Sequence, residues 1–157
     1  MTVGEQAPAF TLESSAGGHR SLSDYEGSWL VVYFYPRDDT PGCTTEAKDF
    51  TAAKRKLSAR SAKVVGVSKD TIAKHCKFID KHALGVELLS DPDGAMIEAY
   101  GAWGEKNMYG KKSMGIIRST VLVDPSGTVR HHFPKVRVKG HVDEVLETLD
   151  ALRKAED

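Results

Sequence analysis

Charge of one sign is missing from this sequence. Lys+Arg and Asp+Glu both total 22, so the formal net charge is zero. Such a chain has no overall field to gather nucleic acid or an anionic bilayer, and no basic stripe with interleaved aromatics compensates for it. Cysteine is scarce as well. Cys43 and Cys76 are the two thiols in 157 residues, too few for a disulfide scaffold and suited to a reducing compartment. No repeat, low-complexity tract or Pro/Gly/Ser linker divides the chain, so a single domain over residues 1–157 is expected. Met1-Thr2-Val3-Gly4-Glu5-Gln6 lacks the charged-then-apolar pattern of a signal peptide. No apolar run approaches the roughly 20 residues needed to cross a bilayer. A soluble cytoplasmic protein with neither nucleic-acid nor membrane partners is the expectation.

What is present alternates between strand and helix patterns. Phe10-Thr11-Leu12 and Arg20-Ser21-Leu22 flank Ala16-Gly17-Gly18, which predicts an N-terminal β-hairpin. Trp29 to Tyr35 is an unbroken β-favouring run that suits a strand buried on both faces. A helix from about Gly42 to Ser58 follows, then a second buried strand, Lys63–Ser68. Asp70 is a candidate cap for a helix from Thr71 to about Ala83. Glu87–Ser90 reads as a short strand, and Asp91 or Asp93 opens a helix through Met96, Ile97 and Tyr100. Asp124-Pro125-Ser126-Gly127 has Pro second and Gly fourth, a turn joining Ser119–Val123 to Thr128–Phe133. The last helix gathers Val142, Val145, Leu146, Leu149 and Leu152 on one face. This order predicts a three-layer α/β/α domain with a central mixed sheet.

Cys43 is the residue with chemistry to offer. It follows the Trp29–Tyr35 strand and a polar loop, at the start of a helix. Thr40 suits the N-cap and Pro41 the first helical position, which leaves Cys43 in the first turn. The free N–H groups and partial positive charge of a helix N-terminus favour the thiolate, the nucleophilic form. Thr40, three residues upstream, brings a hydroxyl within possible reach of the sulfur. Asp38, Asp39 and Glu46 work against the thiolate, so a cation from elsewhere in the chain is required. Arg118, at the mouth of the Ser119–Val123 strand, is the candidate: ligands collect at the carboxyl ends of parallel strands, and an antiparallel neighbour would begin there.

Pro36-x-x-x-Thr40-x-x-Cys43 resembles the active-site signature of the peroxiredoxins. The longer Tyr35-Pro36-Arg37-Asp38-Asp39-Thr40-Pro41-Gly42-Cys43-Thr44-Thr45-Glu46 is similar to the PrxQ branch, the bacterioferritin comigratory proteins. Gly4-x-x-Ala7-Pro8-x-Phe10, Gly66-Val67-Ser68, Leu88-Leu89-Ser90-Asp91, Gly101-x-Trp103-Gly104-Glu105-Lys106 and Gly115-Ile116-Ile117-Arg118-Ser119-Thr120 extend the similarity nearly end to end. The resemblance implies a thioredoxin-like fold and reduction of hydrogen peroxide and organic hydroperoxides. It also implies recycling by thioredoxin or another thiol reductant, no cofactor or metal, and a monomer. It makes Cys43 the attacking thiolate, with Thr40 and Arg118 as donors to the reacting oxygens and Pro36 closing the pocket against water.

The chain departs from that branch at Lys48, where many members carry a second, resolving cysteine. Cys76 is the other thiol available, on the helix where some members place theirs, about one turn earlier than the matched pattern. Two readings stay open for it: resolving thiol, or core residue sharing a face with Ile72, Ile79 and Ala83. Two alternatives of other classes also stand. A thioredoxin-like dithiol–disulfide oxidoreductase needs a second cysteine where Glu46 stands, and a redox-sensing binding module would use Cys43 as a trigger without turnover. Glutathione peroxidases share the architecture, but their glutamine and tryptophan partners have no counterpart placed around Cys43. Gly104–Ser113 does not fit a phosphate-binding loop and reads as a surface loop near the active-site mouth. His75 and His82 read as structural or solvated rather than as metal ligands, and Trp103 and Met108 as packing residues that could also line the pocket.

Overall fold

The computed structural model describes residues 1–156, with Met108 described as backbone alone. Seven strands form one sheet in the order β2-β1-β5-β4-β3-β8-β9. They are β1 (Thr11–Ser14), β2 (His19–Ser21), β3 (Trp29–Phe34), β4 (Ala62–Ser68), β5 (Glu87–Ser90), β8 (Ser119–Val123) and β9 (Val129–Phe133). The central β5-β4-β3 trio is parallel, while β1, β2, β8 and β9 pair antiparallel. The expected mixed sheet and N-terminal hairpin are both present.

Every residue of β3 is buried, because both faces of the sheet are covered. Val31, Tyr33 and Tyr35 point into one core with Phe50 of α1 (Pro41–Ala52), Phe78 of α3 (Ile72–His82) and Leu149 of α5 (His141–Glu156). Leu30, Val32 and Phe34 point into the other, against Met96 and Ile97 of α4 (Ala95–Ala99). This alternation carries the three-layer architecture.

Several boundaries differ from the sequence reading. The helix expected over residues 42–58 is two helices: α1 ends at Ala52 and α2 covers Lys54–Ala59. Near the break, the Thr51 hydroxyl donates back to the Ala47 carbonyl and accepts from the Gly85 N–H, and such back-bonding bends helices. Thr71, not Asp70, caps α3, its oxygen accepting from the Lys74 N–H. Asp70 is engaged elsewhere, as described below. Gly94 is the N-cap residue of α4, although the Asp91 carboxylate does accept from the Ile97 N–H at 2.9 Å.

The segment Gly104–Ser113, read as a surface loop, belongs to a separate hairpin of β6 (Trp103–Met108) and β7 (Lys111–Ile116). Tyr109 and Gly110 turn it, both at positive φ (54° and 79°), as a two-residue turn of the primed kind requires. Lys, Glu, Asn and Gly in the strands hide it from a propensity argument.

Candidate active site

Antiparallel pairing of Phe34 with Ser119 starts β8 where β3 ends. Arg118, one residue before β8, therefore stands at the carboxyl end of the parallel trio, and the chain leaving β3 enters α1 at the same edge. Topology brings Cys43 and Arg118 together across 75 residues: Arg118 Nη2 donates to Cys43 Sγ at 3.2 Å. The thiol is 2 % exposed. A Cβ on Gly42 would lie 3.1 Å from Arg118 Nη2, so the missing side chain lets the guanidinium cross the first turn of α1. Nothing in the sequence alone marks Gly42 for that purpose.

Local geometry at the helix start follows from the sequence. Thr40 is the N-cap residue, extended at φ −97° and ψ 155°, and Pro41 holds the first helical position. The Thr40 carbonyl accepts the Thr44 N–H at 2.8 Å. Amides of Gly42 and Cys43 lie in the first turn, where an α-helix offers no acceptor. The Thr40 hydroxyl, expected near the sulfur, donates instead to the Arg37 carbonyl at 2.9 Å, and its oxygen makes no cap bond. Pro36 and Arg37 are exposed on the outer rim.

Glu46 was read from the sequence as an acid opposing the thiolate. One turn after Cys43, it is 1 % exposed and its Oε1 accepts from Arg118 Nη1 at 2.6 Å. Arg118 thus bridges carboxyl and thiol with two arms of one guanidinium. Burial pushes the Glu46 carboxyl up to about 7, with Arg118 opposing the rise. On Arg118 burial works toward loss of the proton, but Glu46 and Cys43 outweigh it and hold the guanidinium above its ordinary value. The i, i+3 spacing of Cys43 and Glu46 was the available clue, since it puts both on one helix face.

Behind the loop, Asp38 is buried against α3. Its Oδ2 is 2.7 Å from His75 Nδ1, and its Oδ1 accepts from the Tyr35 hydroxyl at 2.5 Å. His75 Nε2 faces the Leu89 carbonyl at 3.0 Å. Asp70 Oδ2 accepts from the Asp38 N–H at 2.8 Å and the Ser68 hydroxyl at 2.7 Å. Asp38, Asp70 and His75 offer ligand atoms within 4.8 Å of one another, but both Asp38 oxygens, both His75 nitrogens and Asp70 Oδ2 are already engaged in these hydrogen bonds.

The other thiol is not in the core. On α3 the buried residues are His75 and Phe78, whereas Cys76 is half-buried and Ala83 exposed. Cys76 Sγ lies 3.9 Å from the Ser15 carbonyl, and both cysteines are free. Trp103 is half-buried beneath Lys69, whose Nζ is 4.2 Å from the ring centroid. The side chain of Met108 lies outside the described residues.

A sequence model of the AhpC/TSA family matches residues 3–132. The chain belongs to that family. It is 45% identical over 149 residues to Peroxiredoxin Bcp of Bacillus subtilis, covering 95% of each protein. To Peroxiredoxin Bcp of Xanthomonas campestris it is 46% identical over 143 residues, covering 91% of this chain and 89% of the relative. The solved structure of Xanthomonas campestris Peroxiredoxin Q superposes with a TM-score of 0.86 at 45% identity, covering 90% of both chains. A Cys-to-Ser mutant of Xylella fastidiosa PrxQ gives 0.91 at 36% identity over 98% of both. The fold is the thioredoxin-like fold of the peroxiredoxins, and the protein is a thiol peroxidase acting on a peroxide with a thiol reductant.

Proposed function

We propose that Cys43 is the peroxidatic thiol, that it reduces hydrogen peroxide and organic hydroperoxides, and that a thioredoxin-type reductant recycles it. The observation that carries this assignment is the 3.2 Å contact between Arg118 Nη2 and Cys43 Sγ at the N-terminus of α1. A cation and a helix terminus acting on one buried sulfur favour the thiolate. The thiolate attacks the terminal oxygen of R–O–O–H. An S–O bond forms, the O–O bond breaks with its electron pair leaving on RO⁻, and a proton completes the alcohol, or water when the substrate is hydrogen peroxide. Cys43 is left as sulfenic acid. Negative charge moves from sulfur to the leaving oxygen, so Arg118 and the first-turn amides are the preplaced donors along its path. Thr40 joins them once its hydroxyl turns from the Arg37 carbonyl to the peroxide, and Pro36 closes the rim without offering a competing donor. An alkyl peroxide reduction activity is named for the Xanthomonas campestris bacterioferritin comigratory protein, a structure 44% identical to this chain; it supports the organic substrates.

Cys76 is the resolving thiol in this reading. Its sulfur attacks Cys43–SOH, the disulfide forms and water leaves. Half-exposure and a single long contact leave it freer to react than a core cysteine. The chain works as one cytoplasmic domain and a monomer, with no nucleic-acid or membrane partner; no helix among the described residues is long and apolar enough to cross a membrane.

Peroxide consumption by wild type, Cys43→Ser and Cys76→Ser, each with thioredoxin and with small thiols, tests the assignment. Cys43→Ser should reduce turnover to background. Mass spectrometry under non-reducing conditions after one equivalent of peroxide should show a Cys43–Cys76 bond. A persistent sulfenic acid or an adduct of the added thiol overturns the role given to Cys76.

A further inference from the structure

The loop that delivers Cys43 to its helix is fastened to α3 twice. Outside, Asp39 sits at φ +60° and accepts from Lys81 Nζ at 2.7 Å and His82 Nε2 at 2.8 Å; Asp39 and Lys81 are exposed and His82 is half-buried, and exposed pairs contribute little. Inside, Asp38 and His75 meet with side chains 5 % and 0 % exposed. A carbonyl oxygen can only accept, so the bond to Leu89 puts a proton on His75 Nε2. The Nδ1–Oδ2 bond then needs one further proton, on nitrogen or on oxygen, and in either case the pair is neutral as a unit. A buried neutral pair with every polar atom engaged is a strong fastening, and one broken from a single side is costly.

We propose that His75 and Asp38 are positioning residues. Their bond latches residues 37–40 in the peroxide-reactive arrangement, and its release is what exposes Cys43 to a thiol. The latch fixes Asp38, and through it the backbone of the loop that leads by way of Thr40 into the first turn of α1. It also joins that loop to the helix on which Cys76 directly follows His75. Cys43, at 2 % exposure, is closed to any thiol until its cover moves. The inference rests on Cys43 being the peroxidatic thiol, but not on Cys76 being the resolving one.

The latch predicts opposite changes in two half-reactions. In His75→Phe and Asp38→Ala, single-turnover oxidation of Cys43 by peroxide should slow on the order of tenfold, since loss of preorganisation costs that much or more. Capture of the sulfenic acid by 2-nitro-5-thiobenzoate should become several-fold faster. Asp38→Asn should behave as wild type in both, because its amide can donate to an unprotonated Nδ1 while its oxygen still accepts from Tyr35. The double variant His75→Phe/Asp38→Ala should be no worse than either single. Should His75→Phe not fold, Asp38→Ala, a loop change that leaves α3 intact, reads the same two rates. Both rates unchanged, both falling together, or Asp38→Asn as damaging as Asp38→Ala would each overturn the latch. The measurements are repeated on a Cys76→Ser background. Absence of a Cys43–Cys76 bond with the opposed rates intact refutes only the resolving role. Peroxide consumption surviving Cys43→Ser refutes the peroxidatic assignment itself.

Discussion

Replacing Glu46 by Gln isolates the charge that the site keeps buried beside its guanidinium. Burial raises the Glu46 carboxyl from an ordinary 4.5 to about 7. Each tenfold change in proton affinity is worth about 1.4 kcal/mol, so the folded protein binds this proton about 3 kcal/mol more tightly than the unfolded chain does. A carboxyl raised in this way binds its proton more tightly folded than unfolded. The resulting stability is fully present below pH 4.5 and is lost as the pH climbs through about 7. Wild-type stability should therefore carry a contribution from this group that declines by about 3 kcal/mol between those limits. Glu46→Gln removes that slope, at a roughly constant cost of about 1–3 kcal/mol if the new amide N–H₂ takes the place of Oε2, which has no partner among the described residues. Urea denaturation of both proteins from pH 4.5 to 8.5 gives the comparison, and the difference between the two curves cancels every other titrating group. Parallel curves would show that Glu46 titrates normally and would refute the argument from burial. Peroxide reactivity supplies a second reading. Gln still accepts from Arg118 Nη1, so the single-turnover rate should stay within about threefold, whereas Glu46→Ala, which frees the guanidinium, should lose about tenfold or more.

Other expectations concern single side chains. Arg118→Ala removes the sulfur's cationic donor and should slow single-turnover peroxide reduction by about 10²–10³; an unchanged rate in stopped flow would dismiss the role. Arg118→Lys keeps a charge but cannot bridge Glu46 and Cys43 with two arms, so it should restore only part of that loss in the same measurement. Phe50→Ala, at a fully buried ring stacked 4.7 Å from Tyr33, should destabilise the protein by about 3–5 kcal/mol in denaturant titration.

Legibility from the sequence followed the range of the interaction. Continuous β-favouring runs located β3, β4 and β8, because burial on both faces writes itself into consecutive residues. Cap chemistry around Thr40 and Pro41 placed Cys43 in the first turn of a helix, since those preferences act within four residues. The β6–β7 hairpin was missed for the complementary reason: the β-favouring Trp103 and Ile116 stand only at the open end of its ladder, and its turn uses Tyr109 at positive φ rather than an Asn-Gly pair. Arg118 could be proposed because sheet topology dictates which strand ends meet. The Arg118–Glu46 and Asp38–His75 pairs could not, as they join residues 72 and 37 positions apart, and no local rule states which acid answers which base. On α3 the core reading of the Ile72, Cys76, Ile79 and Ala83 face holds only for Ile79, partly buried against the core; the fully buried positions include a histidine that burial tolerates only through its Asp38 and Leu89 partners.

Those pairings resolve the electrostatic difficulty that the sequence poses. Three acids close to Cys43 in the chain would together oppose a thiolate, and the net charge of zero promises no help. In the folded protein each acid has its own basic partner: Asp38 meets His75, Asp39 meets Lys81 and His82, and Glu46 meets Arg118. Two of the three pairs are turned away from the sulfur, toward α3. Only Arg118 is shared, with Nη1 on the carboxylate and Nη2 on the thiol. Attraction falls with distance and is least screened in the buried setting, so a guanidinium nitrogen at 3.2 Å outweighs acids that each already have a hydrogen-bonded partner. The arrangement also explains why Glu46 belongs there at all. Without it the guanidinium would have one partner and several accessible rotamers; with it, the planar fork is held at both arms and its second arm is aimed at the sulfur. An acid that disfavours the thiolate through its charge favours the reaction by fixing the group that counters it.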